Sequence, residues 1–434
     1  MTGVTGALAI LLLASMSLAA AGIPPLYRVH AFYYLWYGEP STGRWAHWDH
    51  EVLSHWDPNT AKNYPQGVRF EPPDCLHCPY YPLRGPYSSA SPELVRQHLE
   101  EMTEHGIGVL VASWWGPPWR AGSHDTQLVN TDERVAQVVR EIEAMDSPVR
   151  VAIHMEPYEG RTKETVREDL AYLVEKYKDS KAILRINERP CYYVYDSYRL
   201  PASDWAELLR PEGSISVRGT ELDGYFLGLW LDRDDGEKNI KAGGFEGAYT
   251  YFASEATSYA SNPTNWPAMQ KWSVDNGLMF VPSIGPGYTD SKIRPWNTGA
   301  TRDRESGGRY ERAWDAAVAV AAQMVSITSY NEWGEGTQIE PAVPRQARHE
   351  CSYLSYEPHG PFRYMQLTKQ YAAKLAKRWE ILDPPAKADA KGEPDAAEAG
   401  GCSGDGGGSD SGGAGSAGGG EGGGGTGGSC RSQA

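Results

Sequence analysis

Eight short apolar runs separated by amphipathic or polar stretches predict an α/β fold, a (β/α)8 TIM-type barrel with long loops, between about Tyr27 and Asp383. The first of two further observations favours this class over a doubly wound open sheet. No glycine-rich phosphate loop follows an early strand, and no internal repeat is visible beyond the alternation itself.

The predicted strands are Val29–Leu35, Ile107–Ser113, Val149–Met155, Cys191–Tyr195, Gly224–Trp230, Phe245–Tyr251, Leu278–Gly285 and Met324–Tyr330. Val, Ile, Tyr and Phe dominate them and they end in Gly, Pro or polar residues, the pattern of strands buried on both faces. Helical patterns lie between several of them. Ser91-Pro92-Glu93 opens one with an N-cap and a first-position proline, and Leu94, Val95, Leu99 and Met102 form its apolar stripe. A second begins near Thr131 and repeats Val135, Val138, Val139 and Ile142. A third carries Val166, Leu170, Leu173, Val174 and Tyr177, and later ones surround Trp266–Asn276 and Arg309–Ala321.

The ends of the chain read differently. Ala7–Ala21 is an apolar run closing on small residues, short for a membrane span, so residues 1–22 read as a signal peptide or, with no Lys or Arg before the run, a signal anchor. Residues 384–434 read as a disordered tail: 18 of the 48 glycines fall between Gly400 and Gly428, leaving little side-chain area to bury. One domain, residues 23–383, remains between them.

A net charge of −15 disfavours a nucleic-acid partner. The aromatic set is lopsided, 26 Tyr and 15 Trp against 7 Phe. Rings with a polar tip suit surfaces that stack on sugars, and large barrels also use them as filling. Among six cysteines, Cys75-Leu76-His77-Cys78 admits half a zinc site or, in an oxidising compartment, a local disulfide, with metal the minority reading. Cys191 opens an apolar run and reads as a buried thiol.

Barrel chemistry collects at the C-terminal strand ends. Those ends read Tyr33-Tyr34-Leu35-Trp36-Tyr37, Ser113-Trp114-Trp115, His154-Met155-Glu156-Pro157-Tyr158, Tyr193-Val194-Tyr195-Asp196 and Tyr249-Thr250-Tyr251. Gly285-Pro286-Gly287-Tyr288, Arg294-Pro295-Trp296-Asn297 and Asn331-Glu332-Trp333-Gly334-Glu335 complete the set. Carboxylates for proton transfer, aromatic faces and few metal-type ligands describe a glycosidase cleft. Glu332 and Glu335 are the most informative pair. Glycoside hydrolysis needs one protonated carboxyl and one ionised one, a division that burial and mutual repulsion can impose. Spacing alone does not separate this from a Glu-rich loop that binds nothing.

The chain also resembles a known family from His30 to Leu382, the glycoprotein endo-α-1,2-mannosidases of glycoside hydrolase family 99. The resemblance rests on Trp36-Tyr37-Gly38, His55-Trp56-Asp57-Pro58, Tyr87-Ser88-Ser89, His154-Met155-Glu156-Pro157-Tyr158 and Tyr193-Val194-Tyr195-Asp196-Ser197. It continues through Tyr249-Thr250-Tyr251-Phe252, Gly285-Pro286-Gly287-Tyr288, Ile293-Arg294-Pro295-Trp296-Asn297, Ser329-Tyr330-Asn331-Glu332-Trp333 and Gly336-Thr337-Gln338-Ile339-Glu340.

The resemblance implies a (β/α)8 fold, endo-cleavage at α-1,2-linked mannose with retention, and no metal or cofactor. Carried onto this sequence, Glu335 is the general acid/base. Glu332 is the base on the substrate's own 2-hydroxyl, which attacks the anomeric carbon to form a 1,2-anhydro sugar. Tyr34, Tyr37, His154, Glu156, Tyr195, Tyr251, Arg294 and Asn331 are the candidate substrate-binding residues, with Trp115 before the cleaved bond. Two departures stand out. The family usually has histidine where Gly334 stands, and at position 115 animal enzymes resemble Tyr and bacterial mannan-cleaving ones Trp. The expected partner is a mannose-containing glycan or glycoprotein in the secretory pathway, the Golgi above all, with membrane contact only through an N-terminal anchor. A mannanase acting on mannose-only chains and a glycan-binding protein without turnover are the alternatives.

Overall fold

The computed structural model describes residues 23–345 and 351–382, apart from 66, 254 and 256. The signal-segment and tail expectations fall on residues outside that set. Eight parallel strands form the centre: β1 Val29–Tyr33, β2 Val109–Trp114, β3 Arg150–Met155, β4 Arg189–Val194, β5 Tyr225–Leu229, β6 Gly247–Tyr249, β7 Met279–Val281 with Ser283–Ile284, and β8 Val325–Ile327. Neighbours pair in sequence order, and β8 returns to β1 with Val29 opposite Val325. β7 breaks at Pro282, which lacks an N–H for the ladder. Its first half pairs with β6 and its second with β8, so the sheet closes. All eight predicted strands are present; most are shorter than expected, whereas β2 runs on to Trp114 and β4 begins two residues early at Arg189.

Seven helices of two turns or more are described: α1 Pro92–Glu104, α2 Asp132–Ala144, α3 Lys163–Tyr177, α4 Ala202–Leu209, α5 Trp266–Asp275, α6 Gly308–Ala319 and α7 Arg363–Leu382. α1 begins as its sequence dictates, with the Ser91 hydroxyl accepting from the Leu94 N–H at 3.2 Å. Its face of Leu94, Val95, His98, Leu99 and Met102 is buried, and each such apolar side chain contributes ~1.5–3 kcal/mol. α4, α7 and a single π-type turn at Gly236–Lys241 were not expected from the sequence.

Aromatic rings fill much of the barrel lumen. Phe32 lies 4.8 Å from His154, 5.5 Å from Tyr193 and 5.7 Å from Tyr249 between ring centres. The Tyr193 hydroxyl meets His30 Nδ1 at 2.9 Å. Part of the tyrosine excess is therefore barrel filling and not sugar surface. Burial lowers the His30 pKa to about 4, so this interior ring stays neutral.

The local disulfide expected within Cys75-Leu76-His77-Cys78 does not form. Cys75 instead bonds to Cys351, 276 positions away, with Cα atoms 5.5 Å apart. The Leu354 N–H donates to the Pro79 carbonyl at 2.7 Å, which lays the two loops side by side. Cys78 is free and buried, its thiol donating to the Tyr80 carbonyl at 2.9 Å, and Cys191 is the buried thiol expected. Among the described residues, no helix is long and apolar enough to cross a membrane.

Candidate active site

A cleft of about 200 Å³ opens at the C-terminal ends of the strands. It gathers Tyr34, Trp115, Glu156, Tyr195, Tyr251, Arg294, Glu332 and Glu335, eight of the eleven residues predicted for the site. A wider recess of about 320 Å³ between Phe252 and Ala316 holds no glutamate pair; its Glu255 is engaged by Arg309.

The turn after β8 presents the glutamates. The Glu332 N–H donates to Ser329 Oγ at 2.7 Å, and the Glu335 carbonyl accepts from the Thr289 N–H at 2.8 Å. Gly336 follows with φ +61°, and a Cβ there would sit 2.9 Å from Pro79 and 3.0 Å from the Thr289 carbonyl. Only glycine lets the chain turn so close. Arg304, buried among Tyr80, Tyr356 and Tyr364, donates to the carbonyls of Gly336 and Gln338 at 2.8 and 2.7 Å. The turn that carries the two glutamates is therefore clamped from both sides.

The two carboxyl groups sit in unlike surroundings. Glu332 is buried; its Oε1 accepts the Gly334 N–H at 3.1 Å and its Oε2 has no protein partner among the described residues. Glu335 keeps 27% of its side chain accessible to the cleft and lies 3.3 Å from Arg294 Nη1. Arg294 is itself fixed by buried Asp290 at 3.0 Å. Burial, then the charge of Glu335, holds the Glu332 carboxyl well above the ordinary carboxylate range, against the pull of Arg294 and the Gly334 N–H. Burial raises Glu335 as well, with Arg294 as the main opposing influence. The cleft built by the protein alone thus favours the proton on Glu332 and the charge on Glu335.

Around the pair, the Tyr34 and Tyr251 hydroxyls bond to each other. Burial holds the phenols of Tyr34, Tyr195 and Tyr251 far above their usual range, so they act as neutral hydroxyl groups. Glu156 accepts from Ser113 Oγ at 2.8 Å.

Three predicted residues lie behind the wall. Tyr37 is buried: its hydroxyl donates to the Asn331 carbonyl at 2.8 Å and accepts the Trp333 N–H at 3.1 Å. Asn331 is buried and ties β1 to the turn, accepting the Tyr34 N–H at 2.7 Å and donating to the Tyr34 carbonyl at 2.9 Å. His154 is buried with Nδ1 3.0 Å from Glu156 and Nε2 3.0 Å from the Tyr249 hydroxyl. They buttress cleft residues and are absent from the cleft lining.

Conversely, Trp36, His47, His50, His77, Asp125, Thr126, Pro157, Ile293 and Gly334 line the cleft without having been singled out as site residues. His47 stacks on Trp36 with ring centres 4.5 Å apart and bonds to Asp125 at 2.6 Å. His47, His50 and His77 come from residues 34–91, a connection with no periodicity from which to place them; the one available signal, His beside Trp, reaches His47 alone.

The sequence profile described as Glycosyl hydrolase family 99 matches residues 25–377. The chain is 42% identical to the mouse "Glycoprotein endo-alpha-1,2-mannosidase" over 362 residues, covering 82% of this chain and 76% of that one. It is 43% identical to the human "Glycoprotein endo-alpha-1,2-mannosidase-like protein" over 358 residues, covering 81% and 76%. The solved family 99 endo-α-mannosidase of Bacteroides thetaiotaomicron superimposes with a TM-score of 0.74 at 36% identity, covering 82% of this chain and 99% of that one. On these grounds the chain is a glycosidase belonging to glycosyl hydrolase family 99, the family of the endo-α-1,2-mannosidases.

Proposed function

We propose that the protein hydrolyses an internal α-1,2-mannosidic bond in high-mannose N-glycans, glucosylated or not, with retention and through the sugar's own 2-hydroxyl. The observation that carries this is the unlike pair, a buried Glu332 with a partnerless Oε2 beside a cleft-facing Glu335. Glu332 takes the 2-hydroxyl proton as O2 attacks the anomeric carbon. The glycosidic bond breaks, and its oxygen leaves with the proton of Glu335. Water then gives a proton to Glu335 and opens the anhydro sugar at the anomeric carbon, while O2 recovers its proton from Glu332.

This sequence needs the proton on Glu335 at the start, the reverse of what the protein groups alone favour. A 2-hydroxyl donating to Glu332 stabilises its anion, so substrate supplies the interaction that moves the proton across the pair. Arg294 sets the balance. An Arg294→Met variant loses a cation that favours both carboxylates, so both apparent pKa values rise. Both limbs of the kcat/KM–pH profile are expected to move to higher pH, as measured by initial rates across pH; limbs that stay put or move to acid contradict the assignment.

The substrate test is direct. Incubation with glucose-capped and mannose-only high-mannose glycans should release a disaccharide or oligosaccharide from at least one, and binding without release would leave the glycan-binding alternative. Trp115 in the cleft favours mannose-only chains as the second reading. Trp115→Tyr is expected to shift the ratio of kcat/KM for capped over uncapped glycan about fivefold toward the capped one, the worth of ~1 kcal/mol in a pocket. An unchanged ratio removes Trp115 as the determinant. A secretory location is supported by the Cys75–Cys351 disulfide, which fits an oxidising compartment; the Golgi lumen or membrane is the compartment proposed within it.

A further inference from the structure

Gly334 stands between the two glutamates, and a side chain there has no room. A Cβ on Gly334 would lie 2.9 Å from His77 Nε2 and 3.1 Å from Glu332 Oε1. The imidazole and the carboxylate therefore flank one point, the space directly over the Gly334 Cα. The φ of Gly334 is not left-handed, so what its glycine provides is room for the His77 ring.

His77 is held firmly in that space. The preceding Cys75 is tied to Cys351, and Leu76, fully buried, accepts from Lys292 Nζ through its carbonyl at 3.2 Å and donates its N–H to the Tyr353 hydroxyl at 2.8 Å. The His77 N–H donates to the Trp48 carbonyl at 3.3 Å, and Cys78 beyond it is fully buried. His77 is buried, 2% exposed as a residue, and its Nδ1 has no hydrogen-bond partner among the described residues. The opposite edge of the ring, Nε2 and Cδ2, is the one turned toward Gly334 and the acid pair, where Glu332 Oε2 is without a partner among the described residues.

We infer that His77 is a positioning residue for Glu332: its imidazole, entering over Gly334, holds the carboxylate turned toward the sugar's 2-hydroxyl. The ring acts on Oε1 through one water, together with the Gly334 N–H, and leaves Oε2 for the hydroxyl. The imidazole comes from the loop after β1, and the turn is bare at Gly334 to admit it. The inference rests on the proposed reaction, in which Glu332 is the base.

Moving the imidazole to the turn tests it. His77→Ala is expected to lower kcat about 10–100-fold with KM within about twofold, the scale of a misplaced catalytic group. Gly334→His, with His77 retained, crowds two rings into one space and should lose at least as much. In His77→Ala/Gly334→His the imidazole returns from the other side, and kcat should recover to within about threefold of the parent. His77→Ala/Gly334→Ala relieves the same crowding without an imidazole and should stay as low as His77→Ala. Equal recovery of both double variants reduces His77 to space filling and overturns the inference, as does parental kcat in His77→Ala. If His77→Ala does not fold, His77→Gln carries the same comparison, with partial activity expected from its remaining donor. A parent enzyme without endo-cleavage overturns the functional reading and this inference with it, whereas an active parent with indistinguishable variants overturns this inference alone.

Discussion

Glu335→Gln and Glu332→Gln are each expected to lower kcat/KM on a natural glycan by ~10²–10⁴-fold, the range for loss of a positioned acid or base, and they should differ in two further measurements. The first is dependence on the leaving group. A mannosyl substrate with fluoride as leaving group needs no protonation of the departing atom, so its first bond cleavage in a single turnover should be largely restored in Glu335→Gln. It should remain slow in Glu332→Gln, because the 2-hydroxyl still has no base. The opposite pattern would exchange the two roles. The second measurement is stability. Burial raises the folded-state pKa of Glu332 above its value in the unfolded chain, so the fold is favoured below about pH 4.5 and loses that advantage as pH rises through the folded value. Replacing the acid by its amide removes this penalty. Glu332→Gln should therefore melt a few degrees above the parent at pH 7, ~1–2 kcal/mol, with the difference vanishing toward pH 4. A difference that grows on acidification would mean that Glu332 is ionised and satisfied in the fold.

The barrel was legible because its strands are buried on both faces. Apolar runs such as Val109-Leu110-Val111-Ala112 leave little ambiguity when helical patterns follow them, and the Ser91 cap marked the start of α1 to the residue. α4 has only eight residues and no side-chain cap, so neither periodicity nor punctuation announced it. α7 was available in principle, since Tyr364, Leu367, Tyr371, Leu375 and Trp379 recur at helical spacing, but aromatics among Lys and Arg hide an apolar face. At the site, residue types at strand ends found the cleft but not its depth. Tyr34 and Tyr37 are three positions apart on one irregular segment, yet one lines the cleft and the other props Asn331. Such differences depend on long-range contacts: Tyr37 meets its partner 294 positions away. The Cys75–Cys351 bond, 276 positions in span, was hidden for the same reason.

Glu340 carries the largest expected effect on stability, although it never meets substrate. It is fully buried, and its Oε2 accepts from the Tyr87 hydroxyl at 2.7 Å and from Trp333 Nε1 at 3.0 Å. Its Oε1 lies 3.1 Å from His98 Nε2 and 3.8 Å from Arg84 Nη1. His98 continues to the Tyr33 hydroxyl on β1 at 2.8 Å. One carboxylate thus joins the first strand, the first helix and Trp333, the residue next to Glu332. Glu340→Leu fills similar volume but leaves three donors and a cation facing an apolar side chain. Breaking a buried pair from one side in this way costs about 3–5 kcal/mol. The melting temperature should fall by ~6–20 °C, taking 2–4 °C per kcal/mol. Glu340→Gln keeps one acceptor oxygen and should lose less than the leucine variant. Below its melting transition the leucine variant should still cleave slowly, by up to ~10²-fold, because Trp333 sets where the Glu332 carboxyl stands and small misplacements of a reacting group cost that much. A Glu340→Leu enzyme as stable as the parent would mean that the four groups around Glu340 find other partners, and the turn would then owe its shape to its remaining ties, Arg304, Ser329, Thr289 and Tyr37 among them.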